Sequence, residues 1–159
     1  MTTSQAGQRL VDDHEDLHRL LEQLKKALRE MDVDAARATL DLFWARLAVH
    51  IRAEHLRLFP AVLNAAPAVV AQLRDDHDFF MHELASAIST MPDLDQVLTI
   101  VKAVEERLAI HNELEESEIY ALIGSILPPE EQAQLASQID EELRKRPPRF
   151  PASTWVGDA

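Results

Sequence analysis

Apolar residues recur at helical spacing along most of the chain. Leu10, Leu17, Leu21, Leu24 and Leu28 form one stripe and predict a first helix from about Ser4 to Met31. Asp32 or Asp34 can cap a second helix through "AARATLDLFWARLAVHIRAEHLRLF", which Pro60 bends or ends. "NAAP" marks the next boundary, and a third helix runs from near Pro67 to about Met91. Pro92-Asp93 breaks the pattern. Asp93 or Asp95 caps a fourth helix ending near Leu127, and Pro128-Pro129 opens a fifth, "EEQAQLASQIDEELRKR". Long helices with short connections predict an all-α, up-down-up-down four-helix bundle over residues 1–127, a short appended C-terminal helix over 128–146 and a proline-containing tail over 147–159. The tail has no period and reads as loose; the alternative is that Phe150 and Trp155 dock on the bundle, on a second copy or on a protein partner.

The apolar stripes are interrupted in a repeated way. His14 lies along the line of Leu10, Leu17, Leu21 and Leu28, and His50 shares a face with Phe43, Leu47 and Glu54. His77 sits with Leu73, Phe80, Leu84 and Ile88, and His111 with Val104, Leu108, Glu115 and Leu122. "DDH" occurs at Asp12 to His14 and again at Asp75 to His77, while His50 and Glu54 recur 61 residues on as His111 and Glu115. Two helix pairs related this way can face each other about a pseudo-twofold axis. The other histidines read differently. His55 and His82 each fall five residues past an inward histidine and turn toward solvent, and His18 lies at the edge of its stripe, as a donor behind the site or a boundary residue.

Composition narrows the chemistry. With no cysteine, thiol redox, zinc–cysteine sites and disulfides are excluded. A net charge of −12 argues against nucleic acid and against anionic membranes as partners. The N-terminus shows neither a basic nor an apolar leader segment and no apolar run is long enough to span a bilayer, so the expected location is the cytoplasm. Only one ExxH stretch exists, Glu15 to His18, which excludes a ferritin-like ligand pattern.

Four inward histidines and two inward glutamates are costly to bury without partners. A pair of divalent cations satisfies them together. Imidazole and carboxylate donors suit iron, with manganese and zinc as competitors. Glu54 and Glu115 can bridge two ions, leaving two histidines for each. With an oxo or hydroxo bridge from solvent, each ion has five donors and one open position for dioxygen, nitric oxide or peroxide.

At these residues the sequence resembles the hemerythrin-like, or HHE cation-binding, family. The resemblance covers roughly Leu10 to Leu127 and rests on "DDHEDLH", "HIRAEHLRLF", "DDHDFFMH" and "HNELEESEIY". It implies a non-haem di-iron centre in a four-helix bundle, with His14, His50, His77 and His111 as terminal ligands and Glu54 and Glu115 as bridges. Hemerythrin proper has a second histidine one turn from the third-helix ligand; here those positions are Leu73 and Met81, and His18 on the first helix is the candidate substitute. Hemerythrin proper also places its last carboxylate where Glu116 stands, but helical geometry turns Glu116 outward and selects Glu115.

The expected function is binding or sensing of dioxygen or nitric oxide at the di-iron centre. The alternatives are an oxidoreductase acting on peroxide, nitric oxide or dioxygen, and iron sequestration or delivery; no catalytic residue is assigned. Leu17, Leu21, Phe43, Leu47, Phe80, Leu84, Val104 and Leu108 are expected to line the site and to admit only a small uncharged ligand. Arg57 and Glu118, which occupy equivalent positions of the repeat, can pair beside it as a charged gate or proton route; the alternative is ordinary rim charge.

Overall fold

A computed structural model describes residues 4–145; the tail beyond, with Phe150 and Trp155, lies outside the described residues. Five helices and no strand make up the described chain. Helix α1 spans Gln5–Arg29, with Ser4 as its N-cap accepting from the Gly7 amide at 3.1 Å. Helix α2 begins at Val33, capped by Asp32, and stays helical to Val62 through a π-helical segment at Glu54–Leu58. Helix α3 spans Pro67–Thr90 with proline in its first turn. Helix α4 begins at Leu94, capped by Asp93, and continues to Ile126 through a second π-helical segment at Glu115–Tyr120. Helix α5 is Pro129–Leu143. None of these helices is long and apolar enough to cross a membrane.

Neighbours follow a closed ring: α1 packs on α2, α2 on α3, α3 on α4 and α4 on α1. α5 lies across α1 and α2. The interior divides into two apolar clusters. One is built from Leu17, Leu21, Leu24, Phe43, Leu47, Phe80, Leu84, Val101 and Leu108 with their neighbours. The other holds Leu10, Leu58, Phe59, Leu73, Ile119, Tyr120 and Ile123, and α5 contributes Leu135, Ile139 and Leu143 to it. The four histidines and two glutamates lie between them.

α5 is also held by charge. Glu142 is buried, and it accepts from Lys145 Nζ at 2.7 Å and from Arg57 on α2 at 3.3 Å. This corrects the expected Arg57–Glu118 pair: Arg57 is directed to α5, and Glu118 is exposed. Burial pushes the Glu142 carboxyl up, but Lys145 and Arg57 outweigh it and hold its pKa below 4.5.

The α1–α2 connection is a tight reversal. The Asp32 amide bonds the Ala27 carbonyl at 3.0 Å and the Met31 amide bonds Leu28 at 3.2 Å, the pattern of a Schellman helix end. Met31 holds the left-handed position, with φ 58°, and is 71% exposed. A side chain there costs about 1 kcal/mol and buries little in return.

Two predictions follow from this geometry. Met31→Gly should raise the free energy of unfolding by up to about 1 kcal/mol in urea titration. Glu142→Gln should destabilise by about 1–2 kcal/mol at neutral pH. Because the folded pKa of Glu142 is depressed, its stabilisation is complete above 4.5 and is lost as pH falls through the lower folded value. The difference between wild type and Glu142→Gln should therefore shrink in acid, and a difference that stays constant with pH would count against this role.

Candidate metal centre

The six expected residues meet in one layer. His14, His50, Glu54, His77, His111 and Glu115 are each at most 7% exposed. Their donor atoms form two overlapping groups: His14, His50, Glu54 and Glu115; and His77, His111, Glu54 and Glu115. Both glutamates belong to both groups.

Each histidine is anchored through Nδ1. His50 Nδ1 donates to Asp13 Oδ2 at 2.7 Å, and His111 Nδ1 to Asp76 Oδ2 at 3.0 Å. His14 Nδ1 lies 3.2 Å from Glu116 Oε2, and His77 Nδ1 lies 2.8 Å from His55 Nε2. Arginines extend the anchors. Arg46 reaches Asp13 at 3.4 Å and Arg107 reaches Asp76 at 2.8 Å. Such partners fix the ring and its tautomer, so that the Nε2 lone pair faces inward.

The repeat therefore runs deeper than the six inward residues. Asp13 and Asp76, Arg46 and Arg107, His55 and Glu116, and Phe59 and Tyr120 are all equivalent pairs. The Phe59 ring stacks on His77 at 5.6 Å with 14° between planes, and the Tyr120 ring on His14 at 5.8 Å with 28°.

The π-helical segments explain how glutamate and aromatic ring both face the centre. Five residues along an α-helix turn a side chain by about 140° from its starting face, at ~100° per residue. The wider π turn brings the fifth residue back, as the Phe59 amide bond to the Glu54 carbonyl shows. Pro60 removes a donor from α2, but Ala121 stands at the equivalent place in α4, so proline is not the common cause. The wider turn also corrects the reading of His55. It is half-buried and bonded to His77, where regular α-helical spacing had placed it in solvent. His82 and His18 are exposed, the latter within 4.0 Å of Glu22. Glu115 is fully buried, while Glu116 is exposed and touches the centre only through His14.

The lone pairs do not satisfy one another. In their neutral forms, with the Nδ1 protons given to Glu116 and Asp13, His14 and His50 would bring two acceptor Nε2 atoms to 3.1 Å. His77 Nε2 lies 3.1 Å from Glu54 Oε1, yet neither atom makes a hydrogen bond. The distance would suit an ion pair, but burial and the neighbouring imidazoles disfavour the charged form of His77. Glu115 Oε2 is likewise buried without a hydrogen-bond partner. Donors at about 2.1 Å and a right angle around one ion stand about 3 Å apart, so these separations suit neighbouring ligands of a cation.

The electrostatics agree. Burial opposes charge on both His50 and Glu54, but their mutual attraction prevails, raising His50 well above 6.5 and holding Glu54 at about 2. Burial and the neighbouring imidazoles push His77 well below 6.5. Metal ligation requires neutral imidazoles and ionised carboxylates, so a metal ion and protons would compete for this layer.

Beside the histidines lies a small cavity of about 10 Å³, bounded by Leu17, Leu47, Ile51, Phe80, Leu108 and Asn112. Four of the expected lining residues are there. Leu21, Phe43, Leu84 and Val104 belong to the apolar cluster beyond.

The profile of the hemerythrin HHE cation-binding domain matches residues 6–123. The chain belongs to the hemerythrin HHE family. No curated protein and no solved structure matches it. The match spans all four ring helices and every residue of the layer, so the HHE domain and the buried donors coincide.

In an HHE domain built this way, the carboxylates behind the imidazoles should set metal affinity. Asp13→Asn and Asp76→Asn should each weaken binding about 10–100-fold, read by competition with a chromophoric chelator. Asp12→Asn, on the exposed side of α1, should leave it unchanged.

Proposed function

We propose that this HHE domain holds two iron ions and binds or senses dioxygen or nitric oxide. His14 and His50 would serve one ion, His77 and His111 the other, with Glu54 and Glu115 shared. The observation that carries this reading is the pair of overlapping donor groups with both glutamates in common. Three buried polar atoms of the layer, Glu54 Oε1, His77 Nε2 and Glu115 Oε2, lack hydrogen-bond partners, which fits metal-directed donors. Residues 1–127 would form the metal-binding unit, in up-down-up-down order, and 128–146 the added helix.

Bound iron supplies an exchangeable coordination position and accessible oxidation states. The chain's residues do the rest. Asp13, Asp76, Glu116 and His55 keep each imidazole turned inward. Leu17, Leu47, Phe80 and Leu108 keep the approach dry, and a cavity of about 10 Å³ has room for no more than about one water-sized guest. That volume favours a diatomic over an organic substrate. The near-complete burial of all six donors favours retention of iron over delivery.

Iron-loaded protein should contain two irons per chain and change its optical spectrum on adding dioxygen or nitric oxide without consuming either. Catalytic loss of peroxide or nitric oxide would move the assignment to the oxidoreductase alternative. Glu54→Ala should lose at least one iron, and exposed His18→Ala should lose none. A wild-type chain that retains no transition metal ends the proposal.

A further inference from the structure

The two halves of the centre differ at the aromatic ring five positions beyond each glutamate. The α2 half has Phe59 and the α4 half has Tyr120. Both rings stack on a site histidine, so the exchange adds one atom, a phenol oxygen, at a residue only 1% exposed. That oxygen lies 2.9 Å from Glu115 Oε1, 3.2 Å from His14 Nε2 and 3.4 Å from Glu54 Oε2.

A hydroxyl has one proton to donate. The carboxylate oxygens only accept, and His14 Nε2 also accepts once its Nδ1–H is given to Glu116. Three acceptors thus surround a group that can satisfy one of them. The same His14, Glu54 and Glu115 make up three of the four members of the first donor group. A cation among these lone pairs satisfies them together. At the second donor group, Phe59 has no atom to offer.

We infer that Tyr120 is itself a metal ligand. Its oxygen joins His14, His50, Glu54 and Glu115 on the first ion, and the phenol proton leaves to solvent when that ion binds. The inference rests on the two-iron reading above. It makes the two positions unequal: five side chains hold the first ion and four hold the second. The open position for a small ligand then belongs to the ion held by His77 and His111.

The test is to load the full chain with ferric iron, measure metal content, and record absorption and resonance Raman spectra before and after adding azide. Wild type should bind two irons, show a visible phenolate-to-iron charge-transfer band with enhanced phenol ring vibrations, and take up one azide. Tyr120→Phe, which copies the Phe59 half, should lose the band and take up a second azide. Adding Phe59→Tyr to that variant should restore a band. Two bound irons without a phenolate band in wild type, a band that survives Tyr120→Phe, or two azides bound by wild type would each overturn the ligand assignment and leave the two-iron reading standing. A folded wild-type chain, checked by circular dichroism, that binds no iron removes both.

Discussion

The structure depends on a surplus of lone pairs held in a dry layer. Four imidazole nitrogens and two carboxylates face one another inside the bundle, all at most 7% exposed. Desolvating ionised groups costs several kcal/mol each even after relaxation. The compensation within the chain is incomplete, as the partnerless Glu54 Oε1, His77 Nε2 and Glu115 Oε2 show. A cation could supply what is missing, and because only the folded chain assembles the layer, its binding would be linked to folding. The apolar clusters on either side then have a second role. They make the helices converge at this depth, and they keep out the water that would otherwise satisfy the donors.

Local backbone geometry adapts to that layer. Both π-helical segments begin at a glutamate of the site, Glu54 in α2 and Glu115 in α4. The wider turn lets the glutamate, the residue after it and the aromatic ring at the fifth position all touch the centre. His55 and Glu116 thereby reach His77 and His14, and Phe59 and Tyr120 stack on the same two rings. The second apolar cluster begins with those aromatics and ends on Leu135, Ile139 and Leu143 of α5. Glu142, pinned by Arg57 and Lys145, keeps that end closed.

Much of this was legible in the amino-acid order, because it depends on period. The leucine stripe of α1, the caps Asp32 and Asp93 and the proline at the start of α3 all lie where helical spacing and capping chemistry place them. The six inward residues follow from the same 3.6-residue period, since each lies within or at the start of the segment whose period was read. The losses begin just after each glutamate, where the helix leaves that period. His55 was assigned to solvent and Arg57 to Glu118 because a regular α-helix puts them there. The anchoring carboxylates were missed for a different reason. Asp13 and Asp76 sit beside the inward histidines within the repeated "DDH", and they reach across to the histidine of the next helix in the ring. Contacts between helices leave no mark on the period of either one. The repeat itself was the available signal: Arg46 and Arg107, His55 and Glu116, and Phe59 and Tyr120 keep the same offset as the glutamates.

The departures from that repeat agree in direction. On one side, His14 and His50 are both backed by carboxylates, from Glu116 and Asp13. On the other, His111 is backed by Asp76 but His77 by an imidazole, and burial together with the nearby Arg74 charge holds His55 toward its neutral form. A carboxylate behind a ligand imidazole makes it a stronger base than a neutral partner does. An ion at the proposed His14 and His50 position would therefore be the more electron-rich of the two before Tyr120 is counted, and a phenol oxygen there would add to the difference. An ion between His77 and His111 would receive less charge from the protein and would face Phe59, which donates none. Two ions bound in the proposed way would therefore be treated differently, and the difference lies in two exchanges within the repeat, Phe59 against Tyr120 and His55 against Glu116.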